Sequence, residues 1–145
     1  MTPRRAEAAH RVLAALVAAG CLAVLGVAAF LSPAAEGVGT HTQLGLPTCG
    51  WIARHGRPCP TCGMTTSFTH AAGADLFRAV VVQPAGALLA LTTAAVFWGT
   101  LYVAATGSTL ARALGKAVGL KVLWIALGIG AAAWAYKLLT TPVVY

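Results

Sequence analysis

The chain is short of charge. Of its 145 residues only 9% are charged, and just three are acidic: Glu7, Glu36 and Asp75. Soluble domains carry about 25% charged residues, so too few are present here to clothe a water-facing surface. The scarcity of carboxylates also removes the acid and base partners that hydrolytic chemistry needs, leaving scattered histidines. The two longest apolar runs, Val12–Leu31 and Ala79–Thr106, contain no Asp, Glu, Lys or Arg. Proton relays and ion paths across a membrane normally carry such a residue, which disfavours a pump or a channel.

What remains is apolar chain: 59% of residues are hydrophobic and the mean hydropathy is +0.80. A helix crosses the hydrocarbon core with about 20 apolar residues, a length both runs reach. A third run, Val122–Tyr136, is shorter, but Lys121 and Lys137 stand at its edges, where long side chains can snorkel to the headgroups. Trp124 near one end, and Trp134 with Tyr136 near the other, match aromatic belts at two interfaces. The expected fold is an all-α integral membrane protein, a single domain over 1–145. Its three transmembrane helices fall at about 12–31, 80–105 and 119–138, and a Cys-containing loop with a short interfacial helix joins the first two.

Basic residues set the orientation. Arg4, Arg5 and Arg11 precede the first span, and Arg112, Lys116 and Lys121 separate the second from the third. Three spans place both groups on one side, and the positive-inside rule makes that side the cytoplasm. The loop 32–78 then lies outside the cell's inner membrane. The formal net charge of +7 is read as this topology signal and not as nucleic-acid binding. The first apolar run exceeds the 7–15 residues typical of a signal-peptide core. Ala18-Ala19-Gly20-Cys21 only faintly resembles a lipoprotein cleavage box, so Cys21 is read as a small buried residue. Small residues on the spans, among them Gly26 and the Gly115/Gly119 pair, let helix backbones approach closely. They suit packing within the chain, a membrane protein partner or a homo-oligomer.

The chemistry collects in the loop. Cys49, Cys59 and Cys62, with His41, His55 and His70, fall within one 30-residue stretch. The segment Cys59-Pro60-Thr61-Cys62-Gly63 has the spacing that brings two sulfurs to one metal, or to each other as a reversible disulfide. Pro60 stiffens the turn, and Gly63 lets backbone amides point toward sulfur, as in the knuckles of rubredoxins and zinc ribbons. A four-coordinate zinc would take Cys49, Cys59, Cys62 and a fourth ligand, His70 or His55. A redox reading also fits outward-facing thiols, with Cys59 and Cys62 as a catalytic pair. Thioredoxin context is missing, since proline follows the first cysteine and no βαβ pattern surrounds it. A structural disulfide from Cys49 to Cys59 or Cys62 is the third possibility.

Downstream, Thr65-Thr66-Ser67 is positioned to cap a short helix running through Phe68, Ala71, Ala72 and Leu76. Asp75 and Arg78 are spaced to pair on it, and Gln83-Pro84 is a natural start for the second span.

These residues resemble a known family. Gly56-Arg57-Pro58-Cys59-Pro60-Thr61-Cys62-Gly63-Met64-Thr65, then Gly73-Ala74-Asp75, then Gln83-Pro84 resemble the core of DUF2752, small bacterial membrane proteins of unknown function. The family pattern runs G-x-P-C-P-x-C-G-x-T-R, then G-D, then N-P, after an upstream cysteine to which Cys49 would correspond. The likeness spans about Cys49 to Leu91. Three departures stand out: Thr66 replaces the arginine, Ala74 interrupts the Gly-Asp pair and Gln83 replaces the asparagine. The resemblance implies a bacterial membrane protein with a Cys-rich loop and supplies no activity. The reading is therefore a small multi-pass membrane protein whose loop is organised by a disulfide or by a metal such as zinc. It acts through lipid or partner contacts, with a membrane thiol-disulfide oxidoreductase as the alternative.

Overall fold

A computed structural model describes residues 3–108 and 120–140. Among the described residues every regular element is helical. Arg112, Lys116, Gly115 and Gly119 lie outside the described residues, as do the side chains of Arg4, Arg5 and Lys121.

The first helix, α1, runs over Pro3–Phe30, and the longest later one, α5, over Pro84–Thr106. Ala8–Phe30 and Pro84–Thr106 are both long and apolar enough to cross a membrane. The two helices pack along each other, the most extensive contact in the fold. Their ends show that they run antiparallel. Near the start of α1, Arg11 donates to the carbonyls of Ala104 (2.9 Å) and Ala105 (3.1 Å) at the close of α5. Near its end, Ala28 meets Ala90 and Phe68 in the apolar core. The Arg11 contact satisfies carbonyls that the helix end leaves without partners and sets a cation at its negative pole. Small residues make the close packing possible, with Ala14, Ala18, Ala28, Ala87 and Ala90 all buried.

Most of the apolar surface stays uncovered. Only 17% of each membrane-length window is buried within the chain, and Leu16, Phe30 and Trp98 are largely exposed. The core helix of a soluble domain buries its apolar stripe against neighbours; these two do not.

Between α1 and α5 the chain folds into a compact cap. A 3₁₀ helix covers Thr40–Leu44, followed by α2 (Gly50–His55), α3 (Met64–Ala72) and α4 (Leu76–Val82). The 3₁₀ helix and α2 occupy a stretch with no strong helical pattern in the sequence. The single helix expected through Leu76 is two. Helix α3 stops at Gly73, and Ala74 takes a left-handed φ of 62° that turns the chain. Asp75 then caps α4 by accepting from the Arg78 amide at 3.1 Å, and its carboxylate also pairs with Arg78 Nε at 3.3 Å. Thr65, Thr66 and Ser67 do not cap α3. Gly63 is its N-cap residue, with no side-chain cap, and Thr66 and Ser67 are buried within the helix. The reason is packing. Ser67 Oγ donates into the α4–α5 junction, to the carbonyls of Ala79 (2.8 Å) and Gln83 (3.1 Å). Gly86 faces it so closely that a Cβ there would lie 2.8 Å from Ser67 Cβ.

The last helix, α6, covers Leu120–Thr140, with an apolar stretch over Trp124–Thr140. Its C-terminal half docks on the cap. Trp134 Nε1 donates to the Pro58 carbonyl at 3.3 Å, and Tyr136 Oη to the Val81 carbonyl at 3.0 Å. Lys137 differs from the snorkelling expected of it. Only 4% exposed, it turns inward and donates to the Val82 carbonyl at 3.1 Å. The end of α4 offers that carbonyl where no further turn of helix can use it.

Candidate metal centre

The cap brings three cysteines together from two segments. Cys49 is the N-cap residue of α2, while Cys59 and Cys62 belong to the turn that leads into α3. Within that turn the Cys62 amide donates to the Cys59 carbonyl at 3.0 Å, and the Cys59 amide donates to Cys62 Sγ at 3.2 Å. Gly63 completes it at φ 85°. A Cβ there would stand 2.7 Å from the Gly37 carbonyl oxygen, so only glycine fits. Pro60 is held from behind: its carbonyl accepts from Gln83 Nε2 at 3.0 Å, and Gln83 is fully buried.

All three sulfurs lie within 4.8 Å of one another. Cys59 Sγ is 3.1 Å from Cys62 Sγ, which in turn is 3.6 Å from Cys49 Sγ. All are thiols. The fourth cysteine, Cys21, sits apart on α1. Burial pushes the Cys62 thiol up to about 12, reinforced by its hydrogen bond with Cys59. Burial also acts to raise Cys59, but hydrogen bonds from Thr61, Cys62 and Cys49 outweigh it and leave that thiol below its ordinary value.

The histidines divide. His70, on α3, turns its Nδ1 toward the Asp75 carboxylate at 3.9 Å, and His55 stacks on Trp51 with ring centroids 4.6 Å apart. Neither belongs to the sulfur group. His41 lines a cavity of about 590 Å³ together with Cys49, Cys59 and Cys62. Sequence reasoning placed His41 in the cysteine-rich stretch but did not single it out, because its place depends on the 3₁₀ helix. A second, more open cavity of about 470 Å³ runs between α1 and α3 and shares Met64 and Thr65 with the first.

Chemically, three converging thiols can bind a soft metal ion once they lose their protons. Among the described residues, fold and site together define an all-helical protein with two membrane-length helices and a three-cysteine cluster in the cap between them. The family model described as a protein of unknown function (DUF2752) matches residues 49–97, from the first cysteine of the cluster into the middle of α5. That is the family the motif resembles. No curated protein and no solved structure matches the chain.

Proposed function

We propose that this chain is a bacterial inner-membrane protein with three spans, α1, α5 and α6, in which Cys49, Cys59 and Cys62 hold a zinc ion that staples the outward-facing cap. The N-terminus lies in the cytoplasm, and the stapled cap acts through contacts with lipid or a partner protein. One observation carries the metal reading: three sulfurs from two separate segments converge on one point. A tetrahedral zinc with Zn–S bonds of about 2.3 Å needs sulfurs roughly 3.8 Å apart. The spacings of 3.1 and 3.6 Å are slightly shorter than that, and with every pair within 4.8 Å a small outward shift of the sulfurs would seat the ion. A disulfide uses two sulfurs and gives the third no reason to be there.

Charge supports the same reading. Lys137 is buried beside the turn, where a Cβ on Gly63 would lie 3.2 Å from its Nζ. A buried ammonium is costly without an anion, and no carboxylate pairs with Lys137 among the described residues. Three thiolates on a divalent ion carry one net negative charge, and Lys137 Nζ lies beside Gly63, the residue that follows Cys62. The membrane reading draws on the bare apolar faces of α1 and α5, and the third span on the length of α6 with its aromatic and lysine contacts to the cap.

The competing reading, a thiol-disulfide oxidoreductase built on Cys59 and Cys62, draws on the lowered Cys59 thiol. Electron transfer of that kind usually passes to a second cysteine pair; here only Cys49, in the same cluster, and the distant Cys21 remain. The test is metal content and free-thiol count on one detergent-purified sample prepared without chelator or reductant. About one zinc per chain, lost in Cys62→Ser, is the expected result. A metal-free protein with Cys59 and Cys62 joined and easily reduced would overturn the staple in favour of redox chemistry.

A further inference from the structure

Three cysteines leave a tetrahedral zinc one position short. Resting on the metal reading above, we infer that His41 supplies the fourth ligand through Nδ1, making the site Cys₃His.

Three features of the structure lead to His41. It lines the same cavity as Cys49, Cys59 and Cys62. Its other ring nitrogen is already engaged: Nε2 lies 3.1 Å from the Pro47 carbonyl oxygen. A carbonyl can only accept, so Nε2 carries a proton, and the tautomer this bond selects is the one that leaves Nδ1 as the lone pair. A metal-bound histidine that gives its second N–H to a backbone carbonyl follows a recurrent pattern, because that bond fixes both tautomer and ring orientation. Here the carbonyl belongs to the strand of chain entering Cys49, so one side chain would couple the ion to the approach of its own ligand.

The third feature is the mounting. The 3₁₀ helix that carries His41 is fixed at Thr40, which is fully buried. Thr40 Oγ1 lies 2.8 Å from Thr66 Oγ1 on α3 and accepts from the Ala34 amide at 3.0 Å. Helix α3 begins directly after Cys62 and Gly63, so this clamp ties His41 to the element that follows the cysteine turn. The ring nitrogens are not among the atoms gathered within 4.8 Å, and ligation therefore asks the ring to move toward the sulfurs together with the Pro47 carbonyl that holds Nε2. Gly39 (φ 92°) and Gly45 (φ 75°) bound the 3₁₀ helix that carries His41. His55, stacked on Trp51, and His70, turned to Asp75, face other partners.

Cobalt(II) titration of the detergent-purified full chain tests the inference, since Co(II) reports the number of sulfur ligands and the geometry by its absorption. The expected outcome is a tetrahedral spectrum with thiolate charge-transfer bands. His41→Ala should weaken Co(II) binding at least tenfold and shift the d–d bands, while His55→Ala and His70→Ala leave both unchanged. His41→Cys should restore affinity with the red-shifted spectrum of four sulfurs, which guards against a variant that merely misfolds. X-ray absorption on the zinc-loaded wild type should fit three sulfurs at about 2.3 Å and one nitrogen at about 2.0–2.1 Å. If His41→Ala keeps the wild-type spectrum and affinity, His41 is not a ligand, although the three-cysteine site stands. If the wild type shows no thiolate bands, or if Cys62→Ser leaves both spectrum and affinity unchanged, the metal reading itself falls.

Discussion

Lys137 and Val82 join the last helix to the cysteine cap: the buried ammonium donates to the Val82 carbonyl at 3.1 Å, one residue before Gln83, whose amide grips Pro60 in the cysteine turn. The contact therefore links α6 to the turn that carries Cys59 and Cys62. Replacing Lys137 with Met keeps the length and removes the charge. With zinc bound as proposed, affinity for it should fall about tenfold, roughly 1.4 kcal/mol, because a cluster of three thiolates on the ion then loses its counter-charge. Lys137→Arg, which keeps the charge, should retain more of the affinity. Competition with a chromophoric chelator measures both, and equal affinity in wild type and Lys137→Met would show that the ammonium does not sense the site.

The two cysteines of the turn should differ in reactivity once metal is removed. Only a thiolate attacks an alkylating reagent. Cys59 titrates below its ordinary value, so its thiolate is present at lower pH than in a free thiol. Cys62, pushed up to about 12, holds roughly one thiolate per ten thousand molecules at pH 8. With iodoacetamide and excess chelator, mass spectrometry should find Cys59 modified first, its rate levelling off below the pH expected of an ordinary thiol. The Cys62 rate should keep climbing through pH 10. Equal rates at pH 8 would contradict the hydrogen-bonding pattern of the turn. In the metal-loaded protein both residues should be protected.

Much of the architecture can be read from composition. Charge-free runs mark the membrane-length stretches of α1 and α5, and Pro84 begins α5 as the Gln83-Pro84 pair implied. The convergence of Cys49 with Cys59 and Cys62 was legible as a pattern, since few other chemical groups exist in so apolar a chain. The clamps were not. Whether Lys137 snorkels or turns inward depends on a free carbonyl at Val82, created by a helix break 55 residues earlier in the chain. Ser67 looked like a cap because serine favours helix starts, but its hydroxyl serves a junction formed by α4 and α5. His41 gained its place from a 3₁₀ helix whose residues show no periodicity. Local propensity does not encode contacts of that range.

Ala74 offers a direct test of the turn between α3 and α4. It interrupts the Gly-Asp pair of the family pattern, and its φ of 62° lies in the left-handed region. There a Cβ crowds the following carbonyl, a cost of roughly 1–2 kcal/mol that glycine escapes. Its backbone is well used, with the Ala74 amide donating to Ala71 and the next amide, Asp75, to His70. Ala74→Gly should preserve those bonds and relieve the crowding, so it should stabilise the protein by about 0.5–1 kcal/mol despite the added freedom of the unfolded chain. Thermal unfolding in detergent reads the effect, and a lower midpoint would mean the turn relaxes at little cost.

Gly63 is the opposite case. It combines a left-handed φ of 85° with a Cβ position 2.7 Å from the Gly37 carbonyl oxygen, a backbone atom that cannot step aside without moving the whole 37–40 segment. The same position lies 3.2 Å from Lys137 Nζ and 3.3 Å from a Val82 methyl. Gly63→Ala must therefore open the cap along the line where Gly37, Val82 and Lys137 meet. A strained backbone and displaced neighbours together should cost about 2–4 kcal/mol. The loss should not be confined to stability. Gly63 immediately follows Cys62, and shifting it moves that sulfur relative to Cys49. The variant should bind zinc at substoichiometric levels even at temperatures where its helical circular dichroism is intact. Gly45→Ala is the control: its φ of 75° carries the same kind of backbone strain, but its Cβ would meet nothing within 4 Å. It should lower the midpoint modestly and leave zinc stoichiometry at one. If Gly63→Ala retained full zinc and lost no more stability than Gly45→Ala, the close approach of Gly63 to Gly37 would not be what holds the cysteine turn in place.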